Sequence, residues 1–345
     1  MNVLWIKDPI TGHQNKVRGV LRTLSSKRKL DIIEHDLEWR WSPVRQLLPF
    51  MGMPAFAIPL KCLLKRPPEL GQIDLVISAG GATQWPNAAV SHRIGCPNVF
   101  LGSLRRMNSS HFNLIASHEV PLNQPRFHQY DLIPSMITPD GARTAAESAG
   151  VAQQRAWGLL LGGNGEGLRW ALEDYLSLVN RFILQAKSAG HGIRIATSRR
   201  TPIMVERTIK GLAEESGILL GDSWFHEPGE RSTPLIATMG ACSMLCVTAD
   251  SMSMTHEAVS SGRPVISVMP EQTAFPRLTS NLEGLENKGY LTVQTVSELS
   301  VAEGAPDCGW NLVSGDPSEP IADGVLAALD REYEIIRNPN TATRS

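Results

Sequence analysis

Short apolar runs closed by glycine or a polar loop alternate along this chain with longer segments whose apolar residues recur at three- and four-residue spacing. That alternation is the pattern of parallel α/β units. Val3-Leu4-Trp5-Ile6 predicts a first strand, and Val17, Val20, Leu21 and Leu24 share one face of a helix over about 15–25. Asp74-Leu75-Val76-Ile77-Ser78 predicts a strand ended by Gly80-Gly81, followed by a short helix from Ala88 to Ile94. Further strands are expected at Asn98–Leu101 and Phe112–Ala116. The series restarts near residue 156, with a strand at Trp157–Leu161, a glycine loop at 162–167 and a long helix from Leu168 to Ala189. A strand at Gly192–Thr197 follows, then a helix at Thr201–Ser216 with Pro202 in its first turn. Leu245–Thr248 and Pro264–Val268 read as strands flanking a short helix, and a last helix is expected over about 321–336. The reading is α/β: two Rossmann-like parallel-sheet domains facing a central cleft.

Length and composition agree. At 345 residues the prior is two domains, and 42% hydrophobic with 19% charged residues excludes a disordered chain, a collagen and a coiled coil. The expected division is 1–150, 151–320, and a C-terminal helix with a polar tail over 321–345, the boundary falling in the alanine-rich stretch Asp140–Ala156. The net charge of −1 gives no sign of a nucleic-acid partner, but it is unevenly spread. Residues 1–150 carry 17 Lys and Arg against 11 Asp and Glu, a net of +6; residues 151–345 carry 16 against 23, a net of −7. The basic half favours anionic partners or surfaces. Five cysteines form no C-x-x-C pair, which reads as buried or idle thiols in a reducing compartment. Charges at Lys7 and Asp8 interrupt the N-terminus too early for a signal peptide, and no stretch has the length of a transmembrane helix. The expected location is cytoplasmic, either in solution or peripheral at the inner face of the cytoplasmic membrane.

Three loops that follow strands hold candidate chemistry. Gly162-Gly163-Asn164 opens a strand–loop–helix unit in which close glycines let backbone N–H groups approach a phosphate. It lacks the Gly-Lys-Ser/Thr of a P-loop, and a tight turn without ligand is the plain alternative. Ser198-Arg199-Arg200-Thr201 lies at the end of the next strand, where ligands bind in open parallel sheets, and guanidinium forks suit a diphosphate. The third loop runs through Asp250, Ser251, Ser253 and Met254 to Glu257, whose carboxylate suits two ribose hydroxyls. Read plainly, it is a capped helix start with a solvated glutamate.

Thr197–Pro202, Val247–Glu257 and Gly262–Val268 resemble the plant mitochondrial-fission (elongated-mitochondria) family, whose bacterial relatives are described as glycosyltransferases of surface glycolipids. The stretch Thr248–Val268 is also similar to the donor half of GT-B glycosyltransferases. The likeness covers roughly 150–270, is weaker over 70–120, where Ser78-Ala79-Gly80-Gly81 and Arg105-Arg106 occupy comparable places, and is thin before residue 70. It implies a metal-independent transferase with no cofactor beyond its nucleoside-diphosphate sugar. In that fold the N-terminal domain takes the acceptor and supplies a base for its hydroxyl. His13, beside Gly12, matches the place of a Gly-His in GT-B enzymes of the peptidoglycan-precursor kind; His118 and Glu119, after the strand at Phe112–Ala116, are the other candidates. No D-x-D occurs, so positive charge for the leaving diphosphate must come from Arg199, Arg200 and helix dipoles.

From Trp39 to Pro68 there are five basic residues and no acid, with Leu47, Leu48, Phe50, Met51, Met53, Phe56, Ile58 and Leu60 between them. Such a stretch suits the surface of an anionic membrane, or equally the domain core. The preferred reading is a transferase acting on a hydroxyl acceptor, a cell-envelope glycolipid such as lipopolysaccharide. A nucleotide-sugar epimerase of the same fold and a non-catalytic membrane-associated interaction protein are the alternatives.

Overall fold

The computed structural model divides the chain into two α/β units: Met1–Met136 with Pro317–Ser345, and Ile137–Asp316. It describes all residues except 42, 52–55, 105–106, 119–125, 152–154, 166, 227–232, 272–275, 301–308 and 338–345, and except the side chains at 45, 46, 49, 276–279 and 332–337.

In the first unit the strands β1 (Asn2–Lys7), β2 (Asp31–Asp36), β3 (Leu75–Ala79), β4 (Asn98–Leu101), β5 (Leu114–Ser117) and β6 (Phe127–Gln129) form one parallel sheet in the order β2-β1-β3-β4-β5-β6. One face is covered by α1 (Thr11–Lys27), which buries Val17, Val20, Leu21 and Leu24 at the predicted spacing. The other face carries α4 (Gln84–Ile94), buried from Gln84 through Ser91 because a further layer lies over it. That layer is the apolar, basic-flanked stretch, with α2 (Val44–Met51) and α3 (Leu60–Leu63): Leu48, Phe56, Leu60, Leu63 and Leu64 share a core with Trp85, Ala88 and Ala89. Each such side chain contributes about 1.5–3 kcal/mol when fully buried. Phe56 also packs against Trp85, ring centroids 6.0 Å apart and tilted by 49°, and Arg93 donates to its carbonyl. The stretch is therefore divided, for Trp41, Leu47, Phe50 and Met51 remain exposed.

The second unit holds β7 (Ala156–Leu161), β8 (Gly192–Thr197), β9 (Met244–Thr248), β10 (Val265–Met269) and β11 (Thr292–Thr295), all parallel, in the order β11-β10-β9-β7-β8. Its helices are α5 (Pro139–Ser148), α6 (Leu172–Ser188), α7 (Ile203–Glu215), α8 (Leu235–Ala241), α9 (Met252–Ser260) and α10 (Pro276–Asn287). A buried guanidinium fastens this sheet: Arg194 on β8 donates to Asp222 at 2.7 Å, Val151 O at 2.8 Å and Ala241 O at 3.3 Å. Nearby, burial pushes the Cys242 thiol up to about 12, and Cys246 is buried too. Cys62 is exposed, and burial pushes the half-buried Cys96 up to about 11. Cys308 lies outside the described residues.

Two boundaries differ from the sequence reading. The division falls before Ile137 rather than within Asp140–Ala156, and that stretch holds most of α5, started by the Thr138 hydroxyl accepting from Gly141 N at 3.1 Å, with Pro139 in the first turn. Its alanines pack: Ala142 and Ala146 are buried, and α8 comes so near that a Cβ on Gly240 would lie 1.9 Å from Ala142 O. The helix α11 (Glu319–Arg337) is no separate tail segment either. Ile321, Ala322, Val325, Ala328 and Leu329 join the α1 side of the first core, and Lys27 pairs with Glu319 and Asp323 at 3.2 and 2.6 Å.

Candidate functional site

Both sheets have the strand order in which the first strand lies between the second and the third. Successive crossovers leave the first strand in opposite directions, and the crevice beyond its carboxyl end is where ligands bind in such sheets. The crevices lie between β1 and β3, and between β7 and β9.

At the second crevice Thr248 and Asp250, from the end of β9, meet the glycine loop after β7. Gly162 N donates to Thr248 Oγ1 at 2.7 Å, and Gly163 N to Asp250 Oδ2 at 2.8 Å. The same carboxylate oxygen accepts from Arg200 Nη2 at 2.9 Å. Asp250 is wholly buried, its second oxygen has no hydrogen-bond partner, and desolvation raises its pKa. Thr201, buried, donates to the carbonyls of Leu161 and Gly162, while Ser198 Oγ accepts from Arg200 N at 3.2 Å. Asn164 Oδ1 accepts from Trp170 N at 2.9 Å and sets the start of the following turn. Seven of the predicted residues thus form one cluster: Gly162, Gly163, Asn164, Ser198, Arg200, Thr201 and Asp250.

The glycines have a different reason from the one the sequence suggested. A Cβ on Gly162 would lie 2.2 Å from Asp250 Oδ2, and one on Gly165 would lie 2.5 Å from Arg200 Nη1. They make room for the protein's own Asp250 and Arg200, whose ion pair fills the space beside the loop. The amides of Gly162 and Gly163 are already bonded internally.

Arg199 is exposed at the turn before α7. Ser251 precedes α9 without a side-chain cap on the helix, and its hydroxyl lies 3.5 Å from that of Ser253. The first turn of α9, with Ser253 exposed and Met254 half-buried, therefore keeps its side-chain-uncapped N–H groups at the crevice. Glu257 is half-buried on the same helix.

At the first crevice Asp8, 4% exposed, follows β1, and its Oδ1 accepts from Ile10 N at 2.8 Å. His13, in the first turn of α1, brings Nδ1 to 3.1 Å from that oxygen. The two groups are close, but the ring nitrogen makes no aligned hydrogen bond. Gly80, at the end of β3 with φ +95°, closes the group from the other side; a Cβ there would lie 2.3 Å from His13 Nδ1 and 2.8 Å from Asp8 Oδ2. The sequence reading found His13 but missed Asp8 as its partner. His118 follows β5, its ring 6.2 Å from that of Tyr130. Two strands stand between β1 and β5, so their ends are about 14 Å apart at the usual spacing, and His13 and His118 belong to different places on the sheet edge. Glu119 and Arg105-Arg106 lie outside the described residues. Among those residues, no group of three or more His, Cys, Asp or Glu is placed to hold a metal ion.

Two parallel-sheet α/β units of one strand order, each with polar groups gathered at its crevice, define a protein of the GT-B class of fold. The family model described as "Mitochondrial fission ELM1" matches residues 11–327, and the chain belongs to that family. Among solved structures it is similar to the UDP-GlcNAc 2-epimerase of Methanocaldococcus jannaschii, with a TM-score of 0.54 and 11% identity over 94% of this chain and 99% of that one. The S. aureus MnaA–UDP co-structure gives 0.49 at 13% identity, covering 100% of this chain and 98% of that one. The E. coli ADP-heptose lps heptosyltransferase II gives 0.43 at 14%, covering 96% and 100%. The first likeness bears on fold alone, and the other two add no argument to it. No curated protein sequence matches the chain.

Proposed function

We propose that the protein is a GT-B glycosyltransferase that moves a sugar from a nucleoside-diphosphate donor to a hydroxyl acceptor, a cell-envelope glycolipid of the lipopolysaccharide kind, at the cytoplasmic face of the membrane. The observation that best supports this reading is the Arg200–Asp250 cluster at the β7/β9 crevice beside the side-chain-uncapped first turn of α9. Guanidinium and helix-terminus N–H groups are what a leaving diphosphate needs, since its charge grows as the glycosidic bond breaks. Arg199, Ser251, Ser253 and Met254 would meet the phosphates, and Glu257 the ribose. In transfer, the acceptor oxygen forms its bond to the anomeric carbon as the bond from that carbon to the diphosphate oxygen breaks. The hydroxyl proton passes to His13, whose Nδ1 faces Asp8 and whose Nε2 is then the accepting nitrogen. No helix among the described residues is long and apolar enough to cross a membrane. Trp41, Leu47, Phe50 and Met51, with exposed Arg40, Lys61, Lys65 and Arg66, would hold the first unit to anionic lipid.

The test is a thermal-shift and calorimetric screen against UDP, ADP and GDP with and without chelator. One of them should raise Tm regardless of chelation, a ligand at 100 Kd adding about 2.7 kcal/mol of stability. A shift abolished by chelator would refute metal independence, and silence towards all three would refute the donor class. The epimerase reading keeps a place because the M. jannaschii structure carries that name. Product analysis separates them, for only the transferase releases free nucleoside diphosphate. A non-catalytic interaction protein would turn over neither.

A further inference from the structure

Arg199 and Arg200 are equivalent in the sequence and unlike in the fold. Arg199 points to solvent, whereas Arg200, with its side chain 37% exposed, has one guanidinium edge taken by a carboxylate that is itself fully buried. Asp250 is anchored from several sides. Its Oδ2 accepts from Gly163 N at 2.8 Å and from Arg200 Nη2 at 2.9 Å, and Gly162 offers no Cβ to push it away. Arg200 is anchored too: its backbone N–H donates to Ser198, its carbonyl lies 2.1 Å from where a Cβ on Gly163 would be, and its Nη1 lies 2.5 Å from where one on Gly165 would be. A planar fork held by one edge over a backbone loop has its remaining N–H groups pre-set for a second anion, without the rotamer entropy a free arginine must lose.

We propose that Asp250 is a positioning residue of the anion site: through Nη2 it fixes the Arg200 guanidinium across the glycine loop, so that Arg200, and not the Gly162 and Gly163 amides, takes the phosphate. The inference rests on the donor reading above, but the group it assigns is any diphosphate. Asp250 does not touch the ligand; it acts through Arg200.

Calorimetric titration with inorganic pyrophosphate, with UDP, ADP and GDP, and with the matching phosphate-free nucleosides tests it. The proteins are wild type, Asp250→Asn, Arg200→Ala, the double variant and Arg199→Ala, each with its Tm recorded. Expected are a tenfold or greater loss of pyrophosphate and nucleoside-diphosphate affinity in Arg200→Ala, and a loss of about fivefold in Asp250→Asn with nucleoside affinity unchanged. In the Arg200→Ala background, Asp250→Asn should change affinity by less than twofold, and Arg199→Ala should cost less than Arg200→Ala. Equal losses from Asp250→Asn in both backgrounds, or a matching loss for the nucleoside, would make Asp250 merely structural and overturn the proposal. Tighter binding in Asp250→Asn would show a competing internal anion and overturn it as well. Wild type that binds pyrophosphate but no nucleoside diphosphate would overturn the donor reading and leave the assignment of Arg200 and Asp250 standing; wild type that binds neither overturns both.

Discussion

At the residue scale the two crevices share one device. A carboxylate from one strand end, buried away from water, lies against a part-exposed basic group beside glycine of the neighbouring strand end or its loop: Asp8 with His13 at Gly80, and Asp250, itself against Gly162, with Arg200 at Gly163 and Gly165. The order is reversed between the units, since the acid follows the first strand in one and the third in the other. A histidine so held is oriented for proton transfer, and general bases contribute about 10²–10⁴-fold to rate. His13→Gln should therefore lower kcat for sugar transfer by about 10²–10⁴-fold while calorimetric donor affinity stays within twofold of wild type. An undiminished kcat would take His13 out of the reaction. His13 was legible as a loop histidine after a strand. Its pairing with Asp8 was not, because it depends on how tightly the chain turns from β1 into α1.

At the element scale the contacts between helices decide what local pattern leaves open. Thr138-Pro139-Asp140 is a helix start that the alanine-rich, polar composition of the segment hid, and only the close approach of α8 explains Gly240. Gly240→Ala forces a Cβ into the Ala142 carbonyl, and overpacking against backbone costs about 1–3 kcal/mol. Urea unfolding followed by fluorescence should show that loss, with a first-unit transition unchanged. The α2 region is the opposite case. Leu48 completes the layer over α4, whereas Leu47, Phe50 and Met51, spaced for one face, are 62%, 67% and 51% exposed. In the same stretch of sequence Arg40, Lys61 and Arg66 are exposed, and Lys65 lies 3.9 Å from Glu38. Attraction of each basic residue to an anionic surface is worth about 1 kcal/mol before screening. Co-sedimentation with phosphatidylserine-rich vesicles should be strong at low salt, weaker at high salt, and lost when Leu47, Phe50 and Met51 become serine. Pelleting that ignores those substitutions and salt would refute the surface.

At the scale of the whole molecule the two units should answer acid differently. Burial holds the pKa values of His35, His111 and His128, all in the first unit, below the ordinary histidine value. Below about pH 6.5 the unfolded chain takes up protons that these folded imidazoles refuse, so first-unit stability falls as pH drops through that range. Asp250 has the reverse sign. Its pKa is raised by desolvation, so the folded second unit takes up a proton before the unfolded chain does, and that group stabilises as pH falls through its folded pKa. Differential calorimetry at pH 7.5 and 5.5 should show the first-unit transition moving down further than the second; equal movement of both would refute this account.

Hydrophobic periodicity determined the fold class and most of the sheet, because buried parallel strands such as Leu75–Ala79 and Ala156–Leu161 are apolar on both faces and cannot be read otherwise. It did not reveal β2 or β6, which lie beside a single neighbour at the sheet edges, or β11, whose residues are all half-buried. Loops after strands marked the candidate residues, since the carboxyl edge of a parallel sheet is fixed by chain direction alone. What each one touches was decided only in three dimensions. The glycine loop reads as a phosphate cradle until Asp250, 87 residues beyond Gly163, is seen to occupy its amide. The last helix reads as a segment apart from both domains until Ile321 and Val325 are found in the first core. A local pattern reports which face of an element must be covered; which distant segment covers it depends on packing, and packing is a property of the folded whole.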